Sequence, residues 1–167
     1  GIGGNADVFV TPGTKEELTA VLKRASGEGI PVTVIGGGSN CLISDKGIRG
    51  ITICTMQMKP EIICKDTWIT VYGGAGTGNV ARVAQRNSLR GFEWAVGIPG
   101  TVIGATFMNA NGYGSQMKNV VEEVYAVSAD GQTEKVYGWD DLRYGESDSI
   151  FMHNGDIIYG VKLHLSQ

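Results

Sequence analysis

The stretch that most constrains this chain runs from Val32 to Asn40 and contains three consecutive glycines, Val-Thr-Val-Ile-Gly-Gly-Gly-Ser-Asn. Its β-branched first half predicts a short buried strand. The glycines let the backbone turn sharply where that strand ends. Successive backbone N–H groups in such a turn can form a concave anion site, with Ser39 and Asn40 at its rim. The stretch alone supports two interpretations equally: a pyrophosphate-binding loop, or a glycine turn without a ligand.

Composition and charge exclude several classes of protein. The chain has 167 residues and a net charge of −3, so it can form a core but has no basic surface for nucleic acid. No apolar run is long enough to cross a membrane, and the N-terminus lacks the basic and apolar parts of a signal peptide. The cysteines, Cys41, Cys54 and Cys64, lack Cys-x-x-Cys spacing and predict buried thiols in a reducing cytoplasm. His153 and His164 form no ligand-spaced cluster, so no metal site is expected.

Glycine is the unusual residue, with 26 glycines against 4 prolines. Apolar segments separate the glycines, which argues against a disordered or collagen-like chain. Glycines at the ends of strands instead predict a fold whose backbone approaches a large ligand at several places.

The predicted elements mix strands and helices and favour an α+β fold. Strand, helix and strand alternate early, with Thr14 and Glu17 as a capping box before a helix that ends at Gly27 and Gly29. Hairpins dominate later, and Asp130-Gly131 is the strongest hairpin signal. A break at Met56–Pro60 predicts two subdomains, residues 1–56 and 57–167. The other predicted elements are strands at 6–10, 41–43, 50–54, 61–64, 68–72, 120–128, 133–137 and 156–165, a helix capped by Thr77 or Asn79, a helix at about 101–110, and one helical turn at 139–144.

One motif with a known mechanism is present but incomplete. Gly76-x-Gly78-x-x-Ala81 follows a strand and opens a helix, as the relaxed dinucleotide fingerprint does. The acidic residue expected about 20 residues later at the end of a second strand is missing, because Glu93 lies in an irregular stretch. We therefore do not interpret the motif as a Rossmann site. The chain also has no P-loop and no Gly-x-Ser-x-Gly elbow.

Two glycine-rich polar loops remain, residues 36–40 and 97–114. They lie far apart in sequence, and together they fit one long, phosphate-bearing ligand between two subdomains. Trp94, between glycine-rich stretches, suits either the core or the wall of such a site.

Several motifs in the same order resemble one known family. They are Gly3-Gly4-x-Ala6-Asp7, Gly36-Gly37-Gly38-Ser39-Asn40, Gly97-Ile98-Pro99-Gly100-Thr101-Val102-x-Gly104, Asn109-x-x-Gly112-Tyr113-Gly114 and Asp148-Ser149-Ile150-Phe151. In this order and spacing they resemble the UDP-N-acetylenolpyruvoylglucosamine reductases, also called UDP-N-acetylmuramate dehydrogenases, the flavoenzymes of peptidoglycan synthesis. The resemblance implies the FAD-binding fold shared with vanillyl-alcohol oxidase, in which two α+β subdomains clasp FAD.

The resemblance also implies which residues contact FAD. The first loop would bind the pyrophosphate through backbone amides, the second would lie beside the pyrophosphate, ribityl chain and isoalloxazine, and the last strand would offer backbone groups to the adenine end. No catalytic residue is assigned. The implied cofactor-binding residues are Ile35, Gly36, Gly37, Gly38, Ser39, Asn40, Gly97, Ile98, Pro99, Gly100, Thr101, Val102, Gly104, Ala105, Asn109, Gly112, Tyr113, Gly114, Ile158 and Gly160.

The sequence departs from the family in two ways. The family's reductase has a further C-terminal domain, which supplies a serine that protonates the enol intermediate and an assisting glutamate; these residues have no counterpart before Gln167. The family also has Tyr-Arg where this chain has Glu146 and Ser147. Because that arginine is a catalytic-site cation, its loss removes electrostatic stabilisation of a developing enolate.

Three hypotheses follow. The chain is a non-covalent FAD-binding module, inactive alone in the reductase reaction; or it is the flavin half of a reductase that uses NADPH and a UDP-sugar once the missing domain is supplied; or it is an electron-transfer subunit of a larger flavoprotein. All three place it in the cytoplasm.

Overall fold

The computed structural model describes residues 3–167. Gly1 and Ile2, which belong to the N-terminal stretch considered above, lie outside the described residues. In chain order the helices and strands are β1 (Ala6–Val10), α1 (Lys15–Glu28), β2 (Val32–Ile35), β3 (Ile48–Cys54), β4 (Glu61–Lys65), β5 (Trp68–Tyr72), α2 (Thr77–Arg86), α3 (Val102–Phe107), β6 (Asn111–Gly112), β7 (Ser115–Gln116), β8 (Val121–Val127), β9 (Glu134–Gly138), α4 (Phe151–Asn154) and β10 (Ile157–His164).

The strands form two main sheets of different character. β1, β3 and β2 make a three-stranded sheet in which both outer strands run parallel to β3. The order β4-β5-β10-β8-β9 makes a five-stranded sheet in which every pair is antiparallel. A parallel unit followed by an antiparallel one is an α+β arrangement, as the sequence predicted.

The larger core covers one face of the five-stranded sheet. α2, α3 and the one-turn helix Glu93–Gly97 supply it together with alternate residues of β5, β8 and β10. Trp94 belongs to this core and packs edge-on against Phe92, with ring centroids 5.6 Å apart. Trp94 is therefore a core residue, and it does not form part of the cavity wall.

A second core joins the two sheets. Leu18 and Leu22 of α1 pack with Ile53 of β3, and with Val127 and Ile157 at the ends of β8 and β10. α1 therefore contacts both sheets, and it fixes the end of β2 against the C-terminal half of the chain. The division into subdomains at residues 56 and 57 stays a prediction.

The termini of α1 follow the sequence closely. The Thr14 side chain accepts a hydrogen bond from the Glu17 N–H at 3.2 Å, and Gly29, with φ +64°, ends the helix. The predicted capping box does not close. The Glu17 carboxylate accepts a hydrogen bond from the N–H of Gly13, the residue before the N-cap, at 2.7 Å, instead of one from the N–H of Thr14.

Three predicted elements are wrong or too long. No strand forms at 41–43, where the Leu42 side chain is 94% exposed and has no core to pack on. The helix predicted at about 101–110 ends at Phe107, because Asn109 takes a left-handed φ of +47°. Gly76 is the N-cap of α2, without a side-chain cap from Thr77 or Asn79. No helix among residues 3–167 combines the length and apolarity that a bilayer crossing requires.

The second core predicts a large effect of truncating α1. Leu18 is fully buried, so Leu18→Ala should lower the free energy of unfolding by about 2–5 kcal/mol. Leu42→Ala, at the exposed leucine, should change it by less than about 0.5 kcal/mol. Urea unfolding followed by circular dichroism compares the two, and equal effects would contradict the position of α1 between the sheets.

Candidate functional site

A cavity of about 1010 Å³ is lined by both halves of the chain. On one side its wall comes from α1, β2 and the loop that follows β2; on the other it comes from residues 98–111, the β8–β9 turn and residues 147–158. This volume is at the upper end of the range for small-molecule sites. The cavity therefore has room for an extended ligand that contacts both sheets.

The loop at residues 36–40 offers unused backbone donors to this cavity. No N–H group from Gly36 to Asn40 donates a hydrogen bond to an acceptor within residues 3–167. Gly38 has a left-handed φ of +68°, and a Cβ built on it would meet no atom within 4 Å. A run of free N–H groups around a left-handed residue forms an anion-binding concavity.

The second glycine-rich loop approaches the first so closely that side chains would not fit between them. A Cβ on Gly36 would lie 3.1 Å from the Thr101 Oγ1, and one on Gly37 would lie 3.3 Å from the Gly100 Cα. The Ser39 hydroxyl donates to the Pro99 carbonyl oxygen at 3.3 Å. The two loops, 60 residues apart in sequence, thus form one continuous wall of the cavity.

The Gly76–Thr77 stretch, which resembled a dinucleotide fingerprint, holds this second loop in place. The Thr77 N–H donates to the Gly100 oxygen at 3.2 Å, and the Thr77 hydroxyl donates to the Ile98 oxygen. Neither Gly76 nor Thr77 lines the cavity. A Cβ on Gly78 would lie 3.2 Å from the Val96 oxygen, so this glycine allows close packing of backbone. The decision against a Rossmann site agrees with this geometry.

The charged side chains that line the cavity within residues 3–167 are all acidic. Its lining within residues 3–167 includes no lysine, arginine or histidine, and the charged residues among it are Asp130 and Asp156. A phosphate group bound here would therefore be held by neutral dipoles, and the free backbone N–H groups of residues 36–40 are the predicted donors. No cluster of three or more potential metal ligands exists in the described chain.

The structure brings most of the implied cofactor-binding residues together. Those that line the cavity are Ile35, Gly36, Gly37, Gly38, Ser39, Asn40, Ile98, Pro99, Gly100, Thr101, Gly104, Ala105 and Ile158. Those that do not are Gly97, Val102, Asn109, Gly112, Tyr113, Gly114 and Gly160. Direct contact with the cofactor stays a prediction for both groups.

The residues outside the cavity have clear structural roles. Asn109 is buried and binds the Gly145 oxygen at 2.7 Å and the Lys118 N–H at 2.9 Å. A Cβ on Gly112 would lie 2.8 Å from the Ile98 Cδ1, and one on Gly160 would lie 2.4 Å from the Tyr72 ring. These glycines allow close packing behind the cavity wall.

Val102 and Tyr113 also lie outside the cavity lining. Val102 is fully buried in the larger core, and Tyr113 is 86% exposed on the β6–β7 turn, where its φ is +51°. Gly97 faces this turn, because a Cβ on it would lie 3.5 Å from the Tyr113 hydroxyl.

The departures from the family motif lie at the cavity edge. Ser147, at the position where the family has arginine, lines the cavity in a left-handed conformation with φ +53°, and it is exposed. Glu146 is exposed and does not line it. The prediction of buried thiols is wrong for Cys41, which is exposed on the loop after Asn40 and lines the cavity.

Sequence reasoning missed several lining residues. Ser26 of α1, Ile30 just after it, Phe151 of α4, and Asp156 belong to the wall, but none is part of a glycine-rich motif. Only the position of β10 beside the predicted adenine end could have drawn attention to Asp156.

Comparison with protein families identifies the cofactor. A family model described as an FAD binding domain matches residues 6–137, which cover most of the chain and both glycine-rich loops of the cavity wall, but not α4, β10 or the wall residues 147–158. The chain belongs to the FAD-binding domain family. Its cofactor is FAD.

Individual relatives agree with this membership. The chain is 39% identical to the UDP-N-acetylenolpyruvoylglucosamine reductase of Clostridioides difficile over 166 residues, 99% of this chain and 54% of that protein. It is 38% identical to the reductase of Prochlorococcus marinus, of which it covers 57%. The chain thus spans about half the length of these curated relatives.

Superposition on solved structures identifies the type of fold. The UDP-N-acetylenolpyruvylglucosamine reductase of Thermus caldophilus superposes with a TM-score of 0.72 at 31% identity, over 95% of this chain and 55% of that one. p-Cresol methylhydroxylase superposes with a TM-score of 0.71 at 18% identity, over 98% of this chain and 36% of that one, which is a likeness of fold alone. The FAD-binding domain has the vanillyl-alcohol oxidase type of fold, as expected from the sequence.

The cavity of the FAD-binding domain fits this cofactor. The free N–H groups of residues 36–40 suit a pyrophosphate, and the small residues of the second loop allow backbone to approach a flat ring system closely. The apolar residues of the wall, among them Ile35, Ile98 and Phe151, suit the aromatic rings at both ends of FAD.

The loop contact predicts how a side chain at Gly37 would act. Gly37→Val inserts atoms where 3.3 Å separates a Cβ from the Gly100 Cα, and overpacking of this kind costs about 1–3 kcal/mol. We expect the Kd for FAD to rise about tenfold or more. Titration by quenching of flavin fluorescence measures the change.

The matched control is Gly27→Val in α1, where a Cβ meets nothing within 4 Å. This variant should bind FAD as the parent does. If both variants bind FAD equally well, the loop at residues 36–40 does not bind the cofactor.

Proposed function

We propose that the chain is the flavin-binding half of an oxidoreductase of the UDP-N-acetylenolpyruvoylglucosamine reductase type, and that it binds FAD tightly and without a covalent bond. The observation that carries this proposal is the meeting of two sequence-distant glycine loops at one cavity, with free N–H groups from Gly36 to Asn40. The 39% identity to the reductase of Clostridioides difficile supports the choice of reductase type.

The reaction of such an enzyme uses FAD as an acceptor and donor of hydride, between NADPH and the enolpyruvyl double bond of a UDP-sugar. This chain's own contribution is to bind and orient FAD through backbone dipoles and small residues. We propose that NADPH and the UDP-sugar bind only when the remaining half of the enzyme is supplied. The reducing cytoplasm is the compartment in which such nucleotide substrates occur.

The charge of the cavity supports the proposal that the chain alone does not catalyse the reaction. Stabilisation of a developing enolate needs a fixed cation or hydrogen-bond donors aimed at it, and loss of one such group costs several kcal/mol. Ser147 supplies a hydroxyl where the family has arginine, and the charged residues lining the cavity are Asp130 and Asp156. An anionic intermediate would therefore meet no compensating side-chain charge from residues 3–167.

The form of flavin binding is tested by the spectrum of the purified protein. We expect a yellow protein with flavin absorption bands, and we expect acid precipitation to release the flavin into the supernatant. Cys41 is the cysteine within residues 3–167 that lines the cavity, so Cys41→Ser is the control. Flavin retained in the pellet by the parent and lost from Cys41→Ser would contradict non-covalent binding.

Catalytic competence is tested by anaerobic mixing with NADPH and UDP-N-acetylenolpyruvoylglucosamine. The FAD-loaded chain should form no reduced sugar product above a flavin-only control, because the lining of the cavity within residues 3–167 contains no cation. Ser147→Arg restores the family's residue at the cavity edge. The loss of flavin absorption on adding NADPH is compared between this variant and the parent chain. Turnover by the parent chain would show that the reaction needs neither the arginine nor a further domain.

A further inference from the structure

Asp156 stands out among the residues of the cavity because it is both charged and buried. It precedes β10, lines the cavity and is only 5% exposed. Ionised carboxylates are almost never buried unless other groups compensate their charge. The way in which this carboxylate is compensated therefore indicates what it is for.

A network of neighbours fixes one oxygen of Asp156. Its Oδ2 accepts a hydrogen bond from the Lys135 Nζ at 2.8 Å and another from the Tyr137 hydroxyl. Asn154 completes the network: its Nδ2 donates to the Tyr137 oxygen at 3.0 Å, and its Oδ1 accepts from the Asp156 N–H at 2.9 Å. The hydrogen bond with Asp156 raises the pKa of Lys135, so the lysine stays cationic at neutral pH.

The other oxygen of Asp156 has no partner. No donor within residues 3–167 gives a hydrogen bond to Oδ1. A carboxylate held by two donors on one oxygen, and whose second oxygen is left free beside a large cavity, is a preorganised acceptor for a ligand donor. This second oxygen is not among the fully enclosed unpaired atoms of the described chain, so it is accessible to a ligand.

The chemistry of FAD decides which part of the cofactor suits this acceptor. The pyrophosphate is anionic, and the edge of the isoalloxazine carries mainly acceptors and gains negative charge on reduction, so a carboxylate repels both. The adenosine half carries donors: an exocyclic amino group and two ribose hydroxyls. Carboxylates bind ribose hydroxyls in this way in other dinucleotide-binding folds.

We propose that the free oxygen of Asp156 binds the adenosine half of FAD and makes this cavity select FAD over FMN, an inference that rests on the proposed non-covalent flavin binding. Asp130, also in the cavity wall, adds a second negative charge to the lining. Its Oδ1 accepts from the Ser128 hydroxyl and the Gln132 N–H, but Asp130 is exposed to solvent, so the buried and anchored Asp156 is the better preorganised acceptor for the ligand.

The orientation of FAD follows from this assignment. With this assignment, the start of β10 next to Ile158 would hold the adenosine, and residues 36–40 would hold the pyrophosphate.

The test compares two flavins on the same variants. FAD and FMN share the isoalloxazine and ribityl phosphate, but only FAD has the adenosine. Asp156→Asn keeps the shape of the side chain and removes its charge. We expect its Kd for FAD to rise about tenfold or more, the effect of losing a hydrogen bond to a charged acceptor, while its Kd for FMN stays within about twofold of the parent value.

A matched control and a second variant keep the result interpretable. Asp140→Asn removes an exposed carboxylate that does not line this cavity, and it should change neither Kd. Tyr137→Phe removes one of the bonds that fix Asp156 but leaves the Lys135 ion pair. It should weaken binding of FAD more than binding of FMN. It replaces Asp156→Asn in the test if circular dichroism shows that Asp156→Asn does not fold.

The possible outcomes separate the two proposals. If the parent protein binds neither flavin, the proposed function itself is contradicted. If the parent binds FAD and FMN equally, or if Asp156→Asn and Tyr137→Phe weaken both flavins to the same extent, the domain binds flavin but Asp156 does not recognise adenosine. Selective loss of FAD affinity supports the assignment.

Discussion

The close approach of two backbone segments is the constraint on which the rest of the site depends. Gly36 and Gly37 lie against Gly100, Thr101 and Gly104 so tightly that a Cβ would contact atoms 3.1–3.3 Å away. Neither segment can reach this position alone: β2 delivers the first, and the Gly76–Thr77 stretch holds the second through its hydrogen bonds. The absence of side chains at the contact leaves N–H groups, rather than bulk, facing the cavity.

A site built from backbone has electrostatic consequences. Peptide dipoles stabilise a pyrophosphate without introducing a titratable cation, and the charges that do line the described cavity are acidic. Such a site suits the nucleotide part of a cofactor, and its lining side chains carry no positive charge for an anionic substrate. This separation of tasks fits a chain that spans about half the length of its curated relatives.

Local chemistry made part of this structure predictable from sequence. Thr14 as a helix cap, the hairpin at Asp130-Gly131 and the glycine turn after β2 each depend on a few neighbouring residues. The role of Thr77 and the network around Asp156 could not be predicted, because they arise from contacts between segments 19 to 23 residues apart. The predicted strand at 41–43 failed for the related reason that apolar residues form a strand only where a neighbouring strand is available.

The position of α1 has a consequence for folding. Leu22 and Ile157 belong to the core that joins the two sheets, and both also line the cavity. The cavity wall and the core thus share residues, and occupancy of the cavity is thermodynamically linked to association of the two halves of the chain. A ligand at 100 times its Kd adds about 2.7 kcal/mol to the stability of the native state. Flavin binding is then expected to stabilise the fold, and the cofactor-free chain is expected to be the less stable form.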